Sequence, residues 1–203
     1  MPSTRVLRVG SEAAQDAVTE AAAVLRAHGL VAFPTETFYG LGAAALDPMA
    51  VARLLEAKGR PEGKPLLVLV DSLAMVGVVA EEIPPVAREL MSRHWPGPLT
   101  LVLRARPCVP DAVTAGTGTI GVRLSADPLA CRLVTALGQP VTAPSANVSG
   151  QPPPTTAAAV LAQLDGRIEL VLDGGSTPGG PASTVLDATV QPPRVLREGA
   201  VRL

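Results

Sequence analysis

Leu30-Val-Ala-Phe-Pro-Thr-Glu-Thr-Phe-Tyr-Gly-Leu-Gly-Ala-Ala-Ala-Leu-Asp-Pro48 and, after a short helical interval, Glu56-Ala-Lys-Gly-Arg-Pro-Glu-Gly-Lys-Pro-Leu-Leu-Val-Leu-Val70 decide the reading of this chain. Between Leu30 and Val70 the pattern is buried strand, irregular loop, helix, basic loop, buried strand. The runs LVAF and LLVLV are short, apolar and bounded by Pro and Gly, as in strands covered on both faces. Asp47-Pro48 opens the helix: Asp is a good N-cap, and Pro at the first helical position loses no hydrogen bond. The loops 34–47 and 58–65 therefore leave strand ends, one rich in hydroxyls and glycine, the other in cations. In open α/β sheets such crevices hold small ligands.

Two generic phosphate motifs fail here. Gly59-Arg-Pro-Glu-Gly63-Lys64-Pro65 has its glycines one residue too close for a P-loop, and Pro65 stands where a hydroxyl should meet magnesium. Gly40-Leu-Gly42-Ala-Ala-Ala45 matches a dinucleotide fingerprint in letters only, because Asp47-Pro48 starts a new element at once. A nucleotide bound here is held by other means.

Working outward, 203 residues suffice for one substantial core. The chain is 47% hydrophobic but only 2% aromatic, so that core is built from Val, Leu and Ala. The 21 Pro and 19 Gly argue for many stiff loops rather than a helical bundle. A net charge of −1 gives no bulk drive toward nucleic acid or membrane, so a basic patch would be local. No secretory signal or long apolar span is present, and the expectation is a cytoplasmic chain. Cys108 and Cys131 are expected as free thiols, and no Cys/His metal spacing occurs.

Upstream, Val6, Leu7 and Val9 mark a short strand, and a helix is expected over 12–28, stopped by Gly29. His28 reads as a cation at that helix's C-terminal end. Downstream, helices are expected after Asp71-Ser72 and from Pro84-Pro85 through His94. Trp95-Pro-Gly-Pro98 is a rigid turn before the strand Leu99–Leu103, and Trp95 is either a packing anchor or a base platform. Thr119-Ile-Gly-Val-Arg123 alternates, placing Arg123 on the face of Thr119. An arginine in an apolar strand is either a ligand group or half of a buried ion pair. Asp127-Pro128 opens a helix to Leu137. A short strand then enters Ser145-Ala-Asn147-Val-Ser149-Gly150, either a ligand loop or a rigid turn. Thr155 or Thr156 caps a helix to Leu164, Ile168–Leu172 is a strand, and Asp173 to Gly180 is a flexible hinge. Ser183–Asp187 and Arg194–Arg197 look like a closing strand pair. The alternation predicts α/β architecture, a twisted mixed open sheet with flanking helices.

Covalent catalysis is poorly provided for: two histidines, no nucleophile elbow, no Ser-x-x-Lys. What the chain offers is donors: Lys58, Arg60, Arg123 and Arg197, with hydroxyls at Thr35, Thr119, Ser145 and Ser183. Such groups orient an anionic substrate and offset charge developing on phosphate oxygens. The residues alone thus indicate nucleotide binding and transfer without a covalent intermediate.

Phe33-Pro-Thr-Glu-Thr-Phe-Tyr-Gly-Leu-Gly42, Lys58-Gly-Arg-Pro61, Trp95-Pro-Gly-Pro-Leu-Thr100, Thr119-Ile-Gly-Val-Arg123, Ala143-Pro-Ser-Ala-Asn-Val-Ser-Gly150 and Ser183-Thr-Val together resemble the YrdC-like family, the L-threonylcarbamoyladenylate synthases. The resemblance covers about residues 12–200. It implies a single YrdC-like domain over 1–203 without a second C-terminal domain, and a basic concave surface. It also implies a reaction in which L-threonine, bicarbonate and ATP, with Mg2+, give threonylcarbamoyl-AMP and pyrophosphate. A downstream threonylcarbamoyl transferase complex would use that product to modify tRNA. By resemblance, Lys58 and Arg60 are catalytic and hold the ATP phosphates, joined at the nucleotide by Thr119, Ser145, Asn147 and Arg197. Thr35, Arg123, Ala143 and Ser183 fall around the threonine. Leu69 departs from a His found there in some relatives. The segment 174–197 is expected to order over ATP. The alternative is an RNA-binding module using the concave surface for tRNA or double-stranded RNA, with no membrane contact.

Overall fold

Asp47 caps helix α2 (Pro48–Lys58) as its residue type demands: its carboxylate accepts from Met49 N at 2.9 Å and Ala50 N at 3.3 Å. Gly59, in the left-handed region at φ 55°, ends the helix, so Lys58 sits on its last turn facing the interior. The computed structural model describes residues 3–10, 14–59 and 63–203. Arg60 lies outside them.

The flanking strands form as expected. They are β2 (Val31–Phe33) before α2 and β4 (Leu67–Leu69) after it, both interior strands. The loop between β2 and α2 holds a further strand, β3 (Gly40–Gly42), antiparallel to β2. Gly-Leu-Gly reads as a turn in isolation, but close packing demands it. A Cβ on Gly42 would lie 2.8 Å from Phe33 Cε1 and 2.9 Å from Val141 Cγ1.

The remaining elements are β1 (Arg5–Arg8), α1 (Ala14–Arg26), α3 (Leu73–Val79), α4 (Pro85–His94), β5 (Leu99–Arg104), α5 (Asp111–Thr114), β6 (Thr119–Arg123), α6 (Pro128–Leu137), β7 (Val141–Thr142), α7 (Ala157–Leu164), β8 (Leu170–Asp173), β9 (Thr184–Asp187) and β10 (Arg194–Arg197). Ser72, Asp127 and Thr156 cap α3, α6 and α7 through their side chains. The single turn α5 carries no periodic signal and was not anticipated.

The mixed α/β expectation holds, with the sheet divided in two. One sheet runs β1-β8-β2-β3 and the other β10-β9-β5-β6-β4-β7, both with parallel and antiparallel pairs. They are stitched where β3 meets β7. Thr142 N donates to Ala43 O at 3.0 Å, Ala43 N donates to Thr142 Oγ1 at 2.8 Å, and Ala44 bridges Val141. The core is Val, Leu and Ala with Phe33 and Tyr39 as its large rings, and α1 packs against α6 over the first sheet. Trp95 packs on that core and donates its indole N–H to Leu99 O at 2.7 Å, the anchor role. Cys108 and Cys131 are free thiols.

Candidate active site

The loop after β2, the entry to β4, the faces of β5 and β6, the 143–145 segment and the β9–β10 ribbon enclose a cavity of about 640 Å³. Alternation along β6 turns Thr119, Gly121 and Arg123 toward it. Gly121 leaves room: a Cβ there would stand 3.3 Å from Thr100 Cγ2. Of the expected residues, Thr35, Thr119, Arg123, Ala143, Ser145, Ser183 and Arg197 line the cavity. Arg123 and Arg197 are its charged lining residues among those described.

Lys58 and Asn147 lie beneath the lining instead. Lys58 is 2% exposed, and its ammonium donates to Ser145 O at 2.5 Å and Asn147 O at 2.7 Å. Its own carbonyl accepts from Ser149 N at 2.8 Å. Asn147 donates through Nδ2 to Val148 O and Gln151 O. The 145–151 loop is thus held from below by a buried cation and from within by an amide. Both the rigid-turn and the ligand-loop readings of this segment find support, since Ser145 faces the cavity.

On the opposite margin, Arg197 donates from Nε and Nη2 to Ser183 O at 3.0 and 2.8 Å, and from Nη2 to Ser183 Oγ at 3.0 Å. The Ser183 hydroxyl also meets Thr100 Oγ1 at 3.0 Å. Register slips between Val195 and Arg197, and this bulge lets consecutive residues Leu196 and Arg197 both line the cavity.

Arg123 is buried, and its Nε stands 3.6 Å from Glu36 Oε1. Burial lowers the Arg123 pKa, Glu36 pulls it back up, and Arg197 pushes it down. Burial likewise lowers that of Arg197. Thr35 Oγ1 donates to Phe38 O at 2.7 Å and meets Thr37 Oγ1 at 3.2 Å, which fixes the loop carrying Glu36. Tyr39 donates to Gly175 O at 2.7 Å, and burial followed by the Asp173 charge pushes its pKa up to about 12. With Gly179 N bonded to Thr37 O and Thr177 N to Thr155 O, the segment 175–179 is strapped beside the cavity. Glu36, Tyr39 and Leu196 were not singled out in the sequence. Only an acid in a hydroxyl-rich loop, matched to the buried arginine of strand β6, could have signalled Glu36. Leu69 is fully buried and does not line the cavity. Among the described residues no group of three or more His, Cys, Asp or Glu is disposed to hold a metal.

Residues 23–199 match the Sua5/YciO/YrdC family, described as "Telomere recombination". The chain belongs to this family. Its Sua5/YciO/YrdC fold superposes on Pyrococcus abyssi Sua5 complexed with L-threonine with a TM-score of 0.91 and 46% identity, covering 97% of this chain and 57% of that one. Escherichia coli YciO gives a TM-score of 0.85 at 26% identity, covering 98% and 96%. A Pyrococcus abyssi relative named threonylcarbamoyl-AMP synthase is 49% identical over 90% of this chain and 54% of its own length. A Mycobacterium tuberculosis relative named putative threonylcarbamoyl-AMP synthase is 39% identical over 91% and 84%. The chain therefore spans about half the length of the Pyrococcus relative it matches.

Proposed function

We propose that this chain is an L-threonylcarbamoyladenylate synthase, converting L-threonine, bicarbonate and ATP to threonylcarbamoyl-AMP and pyrophosphate. The observation that carries the reading is the convergence of Thr35, Thr119, Arg123, Ala143, Ser145, Ser183 and Arg197, drawn from five separate stretches, on one cavity. The names of the similar relatives give the reaction class. No helix among the described residues is long and apolar enough to cross a membrane. The proposed setting is cytoplasmic, with a threonylcarbamoyl transferase complex taking the product to tRNA. The RNA-binding alternative has no observation in its favour.

Chemically, the threonine amine adds to bicarbonate-derived carbon dioxide to give a carbamate. A carbamate oxygen then attacks the α-phosphorus as the bond to pyrophosphate breaks, and no side-chain nucleophile is required. Arg123 is suited to the threonine carboxylate by its paired N–H groups, and Thr35, Ala143 and Ser183 shape the space around it. Thr119, Ser145, Asn147 and Arg197 serve the nucleotide, Asn147 by building the loop that presents Ser145. Arg60 supplies positive charge as the pyrophosphate departs, and Lys58 adds its charge from beneath the 145–151 loop that it holds. Magnesium enters as the complex of the ATP phosphates and shields their charge. The test is pyrophosphate release from ATP and magnesium, with and without L-threonine and bicarbonate. Release requiring both, with threonylcarbamoyl-AMP detected by mass, supports the synthase. Its absence from folded protein overturns it.

A further inference from the structure

The two cavity arginines differ in their counter-charge. Arg123 is 3% exposed and faces the Glu36 carboxylate at 3.6 Å. Glu36 is itself fixed: Oε2 accepts a very short hydrogen bond from Ser125 Oγ, which in turn accepts from Asp127 N at 3.2 Å. Among the described residues neither Glu36 Oε1 nor Arg123 Nε has a hydrogen-bond partner, and the two stand 3.6 Å apart. Arg197, by contrast, donates to the carbonyl and hydroxyl of Ser183 and forms no ion pair among the described residues. The Arg123–Glu36 pair therefore sums to zero formal charge, whereas Arg197 keeps a full positive charge.

This difference sorts anions. A corner already holding a carboxylate repels a multiply charged phosphate more than it repels a monocarboxylate that carries its own ammonium. Like-charge opposition of this kind is how sites reject the wrong ligand. We propose that Glu36 is a specificity-determining residue: by pairing with Arg123 it reserves that corner for the amino-acid carboxylate and turns phosphate groups toward Arg197. The inference rests on the synthase reading for the identity of the two substrates. Glu36 does not line the cavity, so it acts through Arg123 as a positioning and charge-setting residue.

The experiment compares wild type with Glu36→Gln, which keeps the size and an acceptor for Ser125 but removes the charge. Wild-type turnover is measured first, since its failure would sink the synthase reading on its own. Binding of inorganic phosphate by titration calorimetry then reads Glu36 without turnover. In wild type, phosphate is expected to compete with ATP and not with threonine. In E36Q it should also compete with threonine, with phosphate affinity at that corner raised about tenfold, the scale of removing one close like charge. Glu36→Asp should restore rejection of phosphate. A folded E36Q whose phosphate affinity and competition pattern match wild type would overturn the proposal, as a purely structural role predicts only a lower melting temperature. Should E36Q not fold, Ser125→Ala loosens the carboxylate while keeping its charge. A raised threonine KM without phosphate competition then supports the proposal, and an unchanged KM or new phosphate competition refutes it.

Discussion

The cavity has an inner wall and an outer wall, built by opposite means. The inner wall, with Thr35, Arg123 and the Lys58-supported loop, is made of buried polar groups: short hydrogen bonds tie Thr35 and the loop, and Arg123 faces Glu36 at 3.6 Å. The outer wall is the exposed edge strand β10, laid on the buried strand β9, and its Arg197 is steadied by a single residue, Ser183. Buried polar networks orient their members without further cost on ligand binding, but each member removed leaves partners stranded. An exposed edge strand carries little of the fold and can change its binding groups freely. The inner wall should therefore couple activity to stability, and the outer wall should not.

Lys58→Ala tests that coupling most severely. It should lower the rate of pyrophosphate release on the order of 10²–10³, the scale of one lost charge-stabilising donor. It should also cost about 3 kcal/mol of stability, because the Ser145 and Asn147 carbonyls lose a charged donor. Turnover within about twofold of wild type would remove Lys58 from the phosphate role. Next, Arg197→Ala should raise the nucleotide KM by about 10- to 100-fold, the value of a charge-assisted hydrogen bond, with the thermal midpoint lowered far less than in Lys58→Ala. A large drop in that midpoint would erase the distinction between the walls.

Gly42→Ala separates the two properties from the other side. Its Cβ would press on Phe33 and Val141 at the sheet seam, costing about 1–3 kcal/mol as overpacking does. Activity per folded molecule should survive; a denaturant titration beside a turnover assay decides. The smallest expected effect is at Tyr39. Its folded pKa, pushed up to about 12, exceeds the ordinary tyrosine value of 10.0, so between the two the native state holds a proton the unfolded chain has lost. Stability should therefore fall as pH rises from 10.0 toward about 12. Tyr39→Phe should abolish that component of the alkaline loss while giving up about 1 kcal/mol at neutral pH, from the hydrogen bond to Gly175.

How much of this was legible in the chain depended on whether a residue's role is local. The caps Asp47, Ser72, Asp127 and Thr156 announce their helices because capping is decided within a few residues. Interior strands β2 and β4 declare themselves by apolar runs between Pro and Gly. The strand β3 did not, since its glycines serve a close approach to Phe33 and Val141 that no local pattern encodes. Thr35, Thr119, Arg123, Ser145, Ser183 and Arg197 stood out as donors by residue type, and the family resemblance assigned them to the threonine or the nucleotide. That Lys58 lies beneath the loop and Glu36 beside Arg123 depends on contacts across 89 and about as many residues of chain, which spacing does not reveal.

Trp95 carries a practical consequence. It is the chain's one tryptophan, lodged against the core with its indole bonded to Leu99 and outside the cavity lining. Its fluorescence is thus a built-in gauge of unfolding that reports from the packed corner between α4 and β5. The stability half of each comparison can be read optically, without label or reporter, on the same sample that is assayed for turnover.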